Sequence, residues 1–213
     1  VFTGWSGSGC SGTGTCVVTM DAAKSVTADF TLGRVLTVTK SGTGAGTVTS
    51  SPAGINCGGD CSETYLDGNV VTLTATPDGT STFTGWTNCD SASGNQCTMT
   101  MNANKSVDAA FTRITFNLHV DRTMPNGSSG TVTSSPAGIN CGVDCDESYI
   151  TGTEVTLTAT ADSGSAFVSW SGCDSTTGNQ CTVAMSSAKT VTATFKKVWD
   201  LTVTKDGERA EVW

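Results

Sequence analysis

Residues 47–58 read TVTSSPAGINCG, and residues 131–142 repeat the same sequence. The likeness continues to Phe111 and Phe195 without a change in internal length, and 40 of the 65 aligned positions are identical. A partial third copy precedes both. Its residues Phe2, Trp5, Cys10, Cys16, Met20, Val26 and Phe30 correspond to Phe83, Trp86, Cys89, Cys97, Met101, Val107 and Phe111. A repeat of roughly 80 residues therefore organises the chain.

The repeat divides the 213 residues into four expected parts. Residues 1–32 are the C-terminal half of a repeat, residues 33–113 and 114–197 are complete repeats, and residues 198–213 hold the opening strand of a further, divergent repeat. In that last part Leu201–Lys205 (LTVTK) matches Leu36–Lys40, whereas Asp206–Trp213 departs from the pattern. We expect either a segment of a longer molecule or a subunit that its neighbours complete.

Composition and hydrophobic pattern predict strands. Thr, Ser, Gly and Val are abundant, which is typical of strands and turns rather than helices. Alternating apolar residues and threonines predict half-buried strands. The expected strands of the complete repeat are Val35–Lys40, Gly46–Ser50, Ser62–Leu66, Val71–Thr76, Ser81–Trp86, Thr98–Met101 and Lys105–Phe111. The fold class is therefore all-β: tandem small antiparallel β domains, sandwich-like or β-grasp-like, of about 80 residues per repeat.

Local features refine this prediction. The first two strands are expected to form a hairpin across the turn SGTGAG. Phe83 and Trp86 would point to opposite faces of a regular strand, so we expect a bulge or bend at Gly85. No flexible Gly/Ser tract separates the closing strand of one repeat from the opening strand of the next. Neighbouring repeats should therefore be held in a fixed relation.

Ten cysteines lie at matching places in the repeats. Because their number is even and each partner is close in sequence, local disulfides in an oxidising compartment are predicted. The expected pairs are Cys10–Cys16, Cys57–Cys61, Cys89–Cys97, Cys141–Cys145 and Cys173–Cys181. A zinc site would need four nitrogen or sulfur ligands, and the sole histidine, His119, stands where the other complete repeat has Thr37. We expect no metal site and no cofactor.

Acidic residues near the loops provide the main alternative for a metal. They are Asp60, Glu63, Asp67, Asp90, Asp144, Asp146, Glu147 and Asp174. Calcium binds such carboxylates, but the sequence contains no D-x-D-x-D-G run. Solvated surface carboxylates are the preferred interpretation, and calcium stays open because acidic surface repeats can use it to stiffen.

Little in the sequence supports catalysis. A Ser–His–Asp system needs a histidine, and His119 occupies an unrepeated position in a strand. A self-formed isopeptide bond is conceivable for Lys40 and Lys205, which end opening strands, but Arg122 holds the equivalent place. An arginine cannot form that bond. We therefore expect no enzymatic activity.

Aromatic pairs recur once per repeat, as Phe2 with Trp5, Phe83 with Trp86, and Phe167 with Trp170. Such pairs could stack on a sugar, but each small domain also needs a large aromatic anchor for its core. The core interpretation is preferred for them. Tyr65 and Tyr149 lie beside a disulfide loop, and for them both interpretations stay open.

The charge of the chain narrows the choice of partners. With a formal net charge of −8, the chain has no electrostatic footprint for nucleic acid and would be repelled by anionic membrane surfaces. The sequence contains no run of 18 apolar residues, so we expect no membrane insertion.

Several motifs in fixed order resemble a known family. They are GTVTSSPAGINCGGDC (46–61), GNVVTLTATP (68–77), FTGW (83–86), the Cys89–Cys97 loop and KSVDAAF (105–111). Together they resemble the divergent internalin-type B-repeats of bacterial surface and secreted proteins, over nearly all of the chain except its last eight residues. The resemblance implies a tandem extracellular β domain that acts as spacer, stalk or adhesive module, without catalytic residues.

These observations lead to one expected function and two alternatives. The expected function is a non-enzymatic structural segment of a secreted or cell-surface bacterial protein, a rigid stalk or fibre-forming module whose partners are neighbouring repeats. One alternative is an adhesive module whose loops at Cys57–Cys61 and Cys89–Cys97 bind a glycan or a protein. The other is a filament subunit that assembles by strand exchange, in which the first half-repeat and the surplus opening strand complete each other between chains.

Overall fold

A computed structural model of the chain describes residues 1–199 and residue 201. The chain divides into two compact units, Val1–Ile114 and Thr115–Trp213. The described residues form 19 strands and one short 3-10 turn at Pro125–Gly127. The prediction of an all-β fold is therefore confirmed. The expected opening strand within 198–213 lies largely outside the described residues.

The first half-repeat contributes two strands. They are β1 (Phe2–Ser6) and β2 (Thr27–Phe30), which pair antiparallel. The loop between them contains the Cys10–Cys16 disulfide. Two residues then lead into the first complete repeat, where the N–H of Asp67 donates to the carbonyl oxygen of Leu32 at 2.8 Å.

The first complete repeat is a sandwich of two four-stranded sheets. The first sheet contains, in spatial order, β5 (Ser62–Leu66), β3 (Gly33–Gly42), β10 (Lys105–Arg113) and β7 (Ser81–Thr87). The second contains β4 (Gly46–Ser51), β6 (Val70–Pro77), β9 (Gln96–Thr100) and β8 (Ser91–Ser93). The apolar residues of both sheets share one buried core, which includes Leu36 and Val38 from β3 and Leu73 from β6. This arrangement is a sandwich and not a β-grasp.

The second complete repeat has the same plan. One sheet contains β14 (Asp146–Ile150), β11 (Thr115–Thr123), β19 (Lys189–Lys197) and β16 (Ser165–Ser171). The other contains β13 (Asn140–Cys141), β12 (Gly130–Ser135), β15 (Glu154–Ala161), β18 (Gln180–Ala184) and β17 (Ser175–Thr177). The 3-10 turn lies in the connection between β11 and β12.

The prediction that the first two strands form a hairpin is wrong. β3 pairs antiparallel with β5 and parallel with β10, whereas β4 pairs with β6 in the other sheet. Glycines make this crossing possible, because the chain passes directly over Phe111. The N–H of Gly44 donates to the carbonyl oxygen of Phe111 at 2.9 Å, and a Cβ on Gly46 would lie 2.4 Å from the Phe111 ring. Each sandwich therefore contains one parallel pair among otherwise antiparallel strands.

Two smaller features differ in how well the sequence predicts them. The bulge is confirmed: β7 pairs Phe83 with Phe111 and Gly85 with Ala110, which leaves Thr84 as the extra residue. Gly85 has a φ of 155°, which favours glycine. The strand β8 was not predicted, because Ser91–Ser93 carries no large apolar side chain that would mark it.

Candidate functional site

The loop closed by Cys57 and Cys61 lies between the two sheets. The N–H of Cys57 donates to the carbonyl oxygen of Val48 on β4 at 2.7 Å, and the N–H of Val38 on β3 donates to the carbonyl oxygen of Cys61 at 2.8 Å. The Cα atoms of the bonded pair are 4.3 Å apart. Cys141 and Cys145 repeat the arrangement at a Cα separation of 4.2 Å. Each loop therefore ties the opening strand of one sheet to the first strand of the other.

The second disulfide of each complete repeat also joins the two sheets. Cys89 follows β7 of the first sheet, and Cys97 is fully buried in β9 of the second. Cys173 and Cys181 occupy the same places beside β16 and on β18. All ten cysteines are thus joined in the structure as the sequence predicts. Their state in the isolated protein stays a prediction.

An ion pair lies beside the Cys89–Cys97 disulfide. Lys105, the first residue of β10, donates to both carboxylate oxygens of Asp90 at 2.6 Å, and the N–H of Thr100 on β9 donates to this carboxylate at 2.8 Å. These bonds, that of Lys105 above all, hold the pKa of Asp90 below its usual range. Lys189 and Asp174 repeat the pair, again with a lowered aspartate pKa.

Tyr65 and Tyr149 are core residues that also bridge the sheets. Tyr65 is buried on β5, and its hydroxyl donates to the Oγ atom of Ser50 on β4 at 2.7 Å. Tyr149 makes the equivalent bond to Ser134 at 2.8 Å. Burial is the main reason that the pKa of Tyr65 is raised. The structure thus favours the core interpretation over a surface platform for both tyrosines.

The residues that end the opening strands bind the backbone. The Nζ atom of Lys40 donates to the carbonyl oxygen of Gly46 at 2.9 Å, and the Arg122 guanidinium donates to that of Gly130 at 2.6 Å. Lys40 therefore closes the connection between β3 and β4, and Arg122 closes the connection between β11 and β12. This shared role explains why lysine and arginine occupy equivalent positions. Lys205, the third residue of this comparison, lies outside the described residues.

The aromatic pairs pack against the cores. Phe83 and Trp86 are half-buried, with ring centroids 5.3 Å apart and planes tilted by 57°. Phe83 also meets the buried Phe111 edge-on. The pair of the second complete repeat, Phe167 and Trp170, is equally tilted, at 52°. The packing of these half-buried rings against the cores favours the core interpretation.

The half-repeat and the complete repeats differ in the hydrogen bonding of their tryptophan indole nitrogens. The Nε1 atoms of Trp86 and Trp170 are buried without a hydrogen-bond partner in the structure. Trp5 donates from the same atom to the carbonyl oxygen of Gly14 at 2.9 Å. The shorter cysteine loop of the half-repeat therefore supplies a bond that the longer loops do not.

The acidic loop residues are spread over separate contacts. Asp67 pairs with Arg34 at 2.6 Å, and Asp90 and Asp174 pair with lysines. Asp60 and Asp144 accept backbone N–H groups at the starts of β5 and β14. Glu63 and Glu147 each accept the next residue's N–H, and Asp146, the eighth of these residues, contacts Asn117 and His119. Within residues 1–199 and 201, no three His, Cys, Asp or Glu side chains form a group that could hold a metal ion.

His119 belongs to a small polar cluster found in the second repeat. Its Nδ1 lies 2.9 Å from Asp146, and its Nε2 lies 3.3 Å from Asp121. Asp146 also accepts a hydrogen bond from Asn117 at 3.0 Å. The bond to Asp146 is the main cause of a raised His119 pKa. Asn117 and His119 together lower the pKa of Asp146.

Two sandwiches of one plan, each tied by two disulfides, an ion pair and a buried tyrosine, define a tandem β-repeat protein. A family model described as the divergent InlB B-repeat domain matches residues 1–34, 36–115 and 121–198, so the chain belongs to this family. The resemblance in the motifs is therefore confirmed. No curated protein matches the chain.

Solved structures add distant similarities. The Bacillus anthracis TIE protein is 12% identical with a TM-score of 0.45, and the match covers 83% of this chain but only 36% of that one. The major pilin protein of Streptococcus pyogenes is 12% identical, with a TM-score of 0.39 over 79% of this chain and 98% of that one. The minor pilin of Streptococcus agalactiae is 10% identical, with a TM-score of 0.30 over 81% and 99%. These similarities are too distant to add to the family assignment.

Proposed function

We propose that the chain is a non-enzymatic structural segment of an extracellular bacterial protein, which acts as a rigid stalk. The supporting observation is that the same three ties between sheets occur in both complete repeats. These ties are the disulfide loop at Cys57–Cys61, the disulfide Cys89–Cys97 with its Asp90–Lys105 ion pair, and the buried Tyr65, each with its counterpart. They join the two sheets of each sandwich.

The ties between sheets add stability that a small domain lacks. A domain of about 80 residues buries little more than 60% of its unfolded surface, so its own core gives marginal stability. In the chain-entropy model, closing a five-residue loop contributes about 2 kcal/mol and a nine-residue loop about 2.6 kcal/mol. Such terms matter in a domain whose net stability is about 5 kcal/mol. Disulfides of this kind persist in oxidising compartments, which supports an extracellular location.

The junctions support stiffness. Only Ile114 separates the end of β10 from the start of β11. Its N–H donates to the carbonyl oxygen of Thr80 at 2.8 Å, so the joining residue is itself held by the first unit. A single hydrogen-bonded residue gives the chain far less freedom than a Gly/Ser linker.

Among the residues that the structure describes, no helix is both long and apolar enough to cross a membrane. The proposed role is that of a spacer, because short junctions between disulfide-tied domains limit the freedom of the chain.

Small-angle X-ray scattering on the oxidised chain tests this proposal. The matched control carries six Gly/Ser residues inserted after Ile114, which leaves both sandwiches unchanged. We expect the wild-type chain to give one narrow distribution of interdomain distances and the control to give a broad one. Indistinguishable curves would overturn the proposal of a stiff stalk.

A further inference from the structure

The first and last strands of each complete repeat lie side by side and run parallel. In the first complete repeat, residues 36–42 of β3 face residues 105–111 of β10 in seven pairs. In the second, residues 118–123 of β11 face residues 189–194 of β19 in six pairs. The chain therefore enters a repeat at one end of this strand pair and leaves it at the other end. We call each of these two strand pairs a terminal clamp.

This arrangement decides how a repeat responds to tension along the chain. Gly33 begins β3 and Arg113 ends β10, so a pull on the two ends of the repeat draws these strands past each other in opposite directions. The hydrogen bonds of a ladder run from strand to strand, and sliding therefore strains all of them together. An antiparallel pair that is opened from one end instead loses its bonds one after another, because only the bond nearest the pull is strained.

We propose that the complete repeats bear tension, and that the terminal clamps are the contacts that resist unfolding when the chain is pulled. This proposal rests on the proposed structural function and adds resistance to force, which a stiff spacer does not need. Only Ile114 separates β10 from β11. The same tension is therefore passed along the chain from one terminal clamp to the next.

The disulfides do not bypass the terminal clamps. Both bonds of the first complete repeat, Cys57–Cys61 and Cys89–Cys97, join residues that lie between β3 and β10 in the sequence. Cys141–Cys145 and Cys173–Cys181 lie in the same way between β11 and β19. The segments that the disulfides staple stay free of tension as long as the clamp holds. The force therefore falls on the hydrogen bonds of the clamp rather than on a covalent bond.

Side chains reinforce the terminal clamp of the first complete repeat. The hydroxyl of Thr39 on β3 donates to the Asp108 carboxylate on β10 at 2.8 Å, and the hydroxyl of Ser41 donates to the same carboxylate. In the second complete repeat, Thr192 stands at the place of Asp108. The clamp of the second repeat is also one residue pair shorter. The first complete repeat should therefore resist the larger force.

Single-molecule force spectroscopy on the full oxidised chain tests the proposal by changing the direction of the pull. Handles at the two chain ends strain both terminal clamps. Handles on azide-bearing residues at positions 79 and 115 instead open the antiparallel pair of β7 and β10 from the end where Ser81 faces Arg113. Gly79 suits a handle because a Cβ there meets nothing within 4 Å, and Thr115 is exposed. We expect the end-to-end pull to need a severalfold larger unfolding force at the same loading rate.

Two variants separate the terminal clamp from general stability. Asp108→Thr copies the second repeat and removes the carboxylate that joins Thr39 to Ser41. Thr98→Ala is the control, because its hydroxyl lies 3.4 Å from that of Thr72 in the other sheet, outside the clamp. Both are surface changes, so denaturant unfolding should place them near the wild type. Forced unfolding follows the unfolding rate, and we expect only Asp108→Thr to lower the larger of the two end-to-end unfolding forces.

Other outcomes overturn the proposal. Equal unfolding forces in the two pulling directions would show that the parallel strands give no directional resistance. Unchanged forces in Asp108→Thr, or an equal loss in Thr98→Ala, would show that the contact between β3 and β10 does not set the resistance. Failure of the stalk proposal is separately visible, because freely moving units change the scattering curve but not the force at which each unit unfolds.

Discussion

The Nζ atom of Lys105 lies 2.6 Å from each carboxylate oxygen of Asp90. The pair stands beside the Cys89–Cys97 disulfide, and Asp90 also accepts the N–H of Thr100 on the second sheet. Lys189 and Asp174 reproduce the pair, with the same spacing of fifteen residues. In the half-repeat, Lys24 instead contacts Asp21, three residues away. The cross-sheet ion pair is therefore a property of the complete repeats.

Removing the lysine should lower stability in a pH-dependent way. The pKa of Asp90 is lowered in the folded state, so its contribution is present above the unfolded value of about 3.9 and is lost as pH falls through the lower folded value. We expect Lys105→Met to lower the Tm at pH 7, and the difference from wild type to shrink below about pH 4. Thermal unfolding followed by circular dichroism measures both.

The control for this prediction is Lys24→Met, which removes a local pair three residues apart on an exposed loop. Such pairs contribute little. Equal losses for Lys24→Met and Lys105→Met would contradict the role assigned to the cross-sheet pair.

His119 should titrate above the ordinary histidine value. It is the only histidine in the chain, so one NMR titration follows it without overlap. Asp146 raises its pKa, and the charged pair should therefore stabilise the second repeat below about pH 6.5 and lose that effect as pH rises through the folded pKa. Asp146→Ser, which copies Ser62 of the other repeat, should move the pKa back toward 6.5. A wild-type value at or below 6.5 would contradict the contact.

Much of the fold could be predicted from the sequence, because burial on one face of a strand leaves a visible alternation. Val71, Leu73 and Ala75 are all fully buried, as their alternation with threonines predicts. Strand pairing leaves no such signal. Leu36 and Val38 give the same hydrophobic pattern whether the next strand lies beside them or in the opposite sheet. The sequence therefore predicts a hairpin at a place where the chain in fact crosses to the other sheet.

The ties between sheets were only partly predictable. Even number and close spacing predict local cysteine pairs, but nothing in a sequence shows which strands a short loop connects. The sequence alone predicts a solvated surface carboxylate at Asp90, whereas the structure pairs it with Lys105, 15 residues away. The recurrence of that aspartate and lysine at one spacing in Asp174 and Lys189 is the signal that could have found the pair.

The crossing between the sheets depends on Gly46 and Gly130. A Cβ at these positions would lie 2.4 Å from the Phe111 ring and 2.3 Å from the Phe195 ring. We expect Gly46→Ala to destabilise the first complete repeat by about 1–3 kcal/mol, the usual cost of overpacking a core. Denaturant unfolding measures the loss.

Gly79→Ala is the matched control, because a Cβ there would meet nothing within 4 Å. It should change stability by less than about 0.5 kcal/mol. A Gly46→Ala protein as stable as this control would show that Phe111 can yield, and that the close approach is not required.

Loss of either cross-sheet disulfide should weaken the first complete repeat. In the chain-entropy model, Cys57→Ala with Cys61→Ala removes about 2 kcal/mol, and Cys89→Ala with Cys97→Ala about 2.6 kcal/mol. Urea unfolding of the double variants measures these losses. Unchanged midpoints would contradict the view that the repeats depend on these bonds.

Peptide mass mapping of the non-reduced protein, isolated from the medium of cells that secrete it, tests the central claim most directly. We expect five local disulfides, Cys10–Cys16, Cys57–Cys61, Cys89–Cys97, Cys141–Cys145 and Cys173–Cys181, in stoichiometric yield. Free thiols at these positions, pairs that join different loops, or a metal ion held by the cysteines would contradict the account of sandwiches closed by covalent ties.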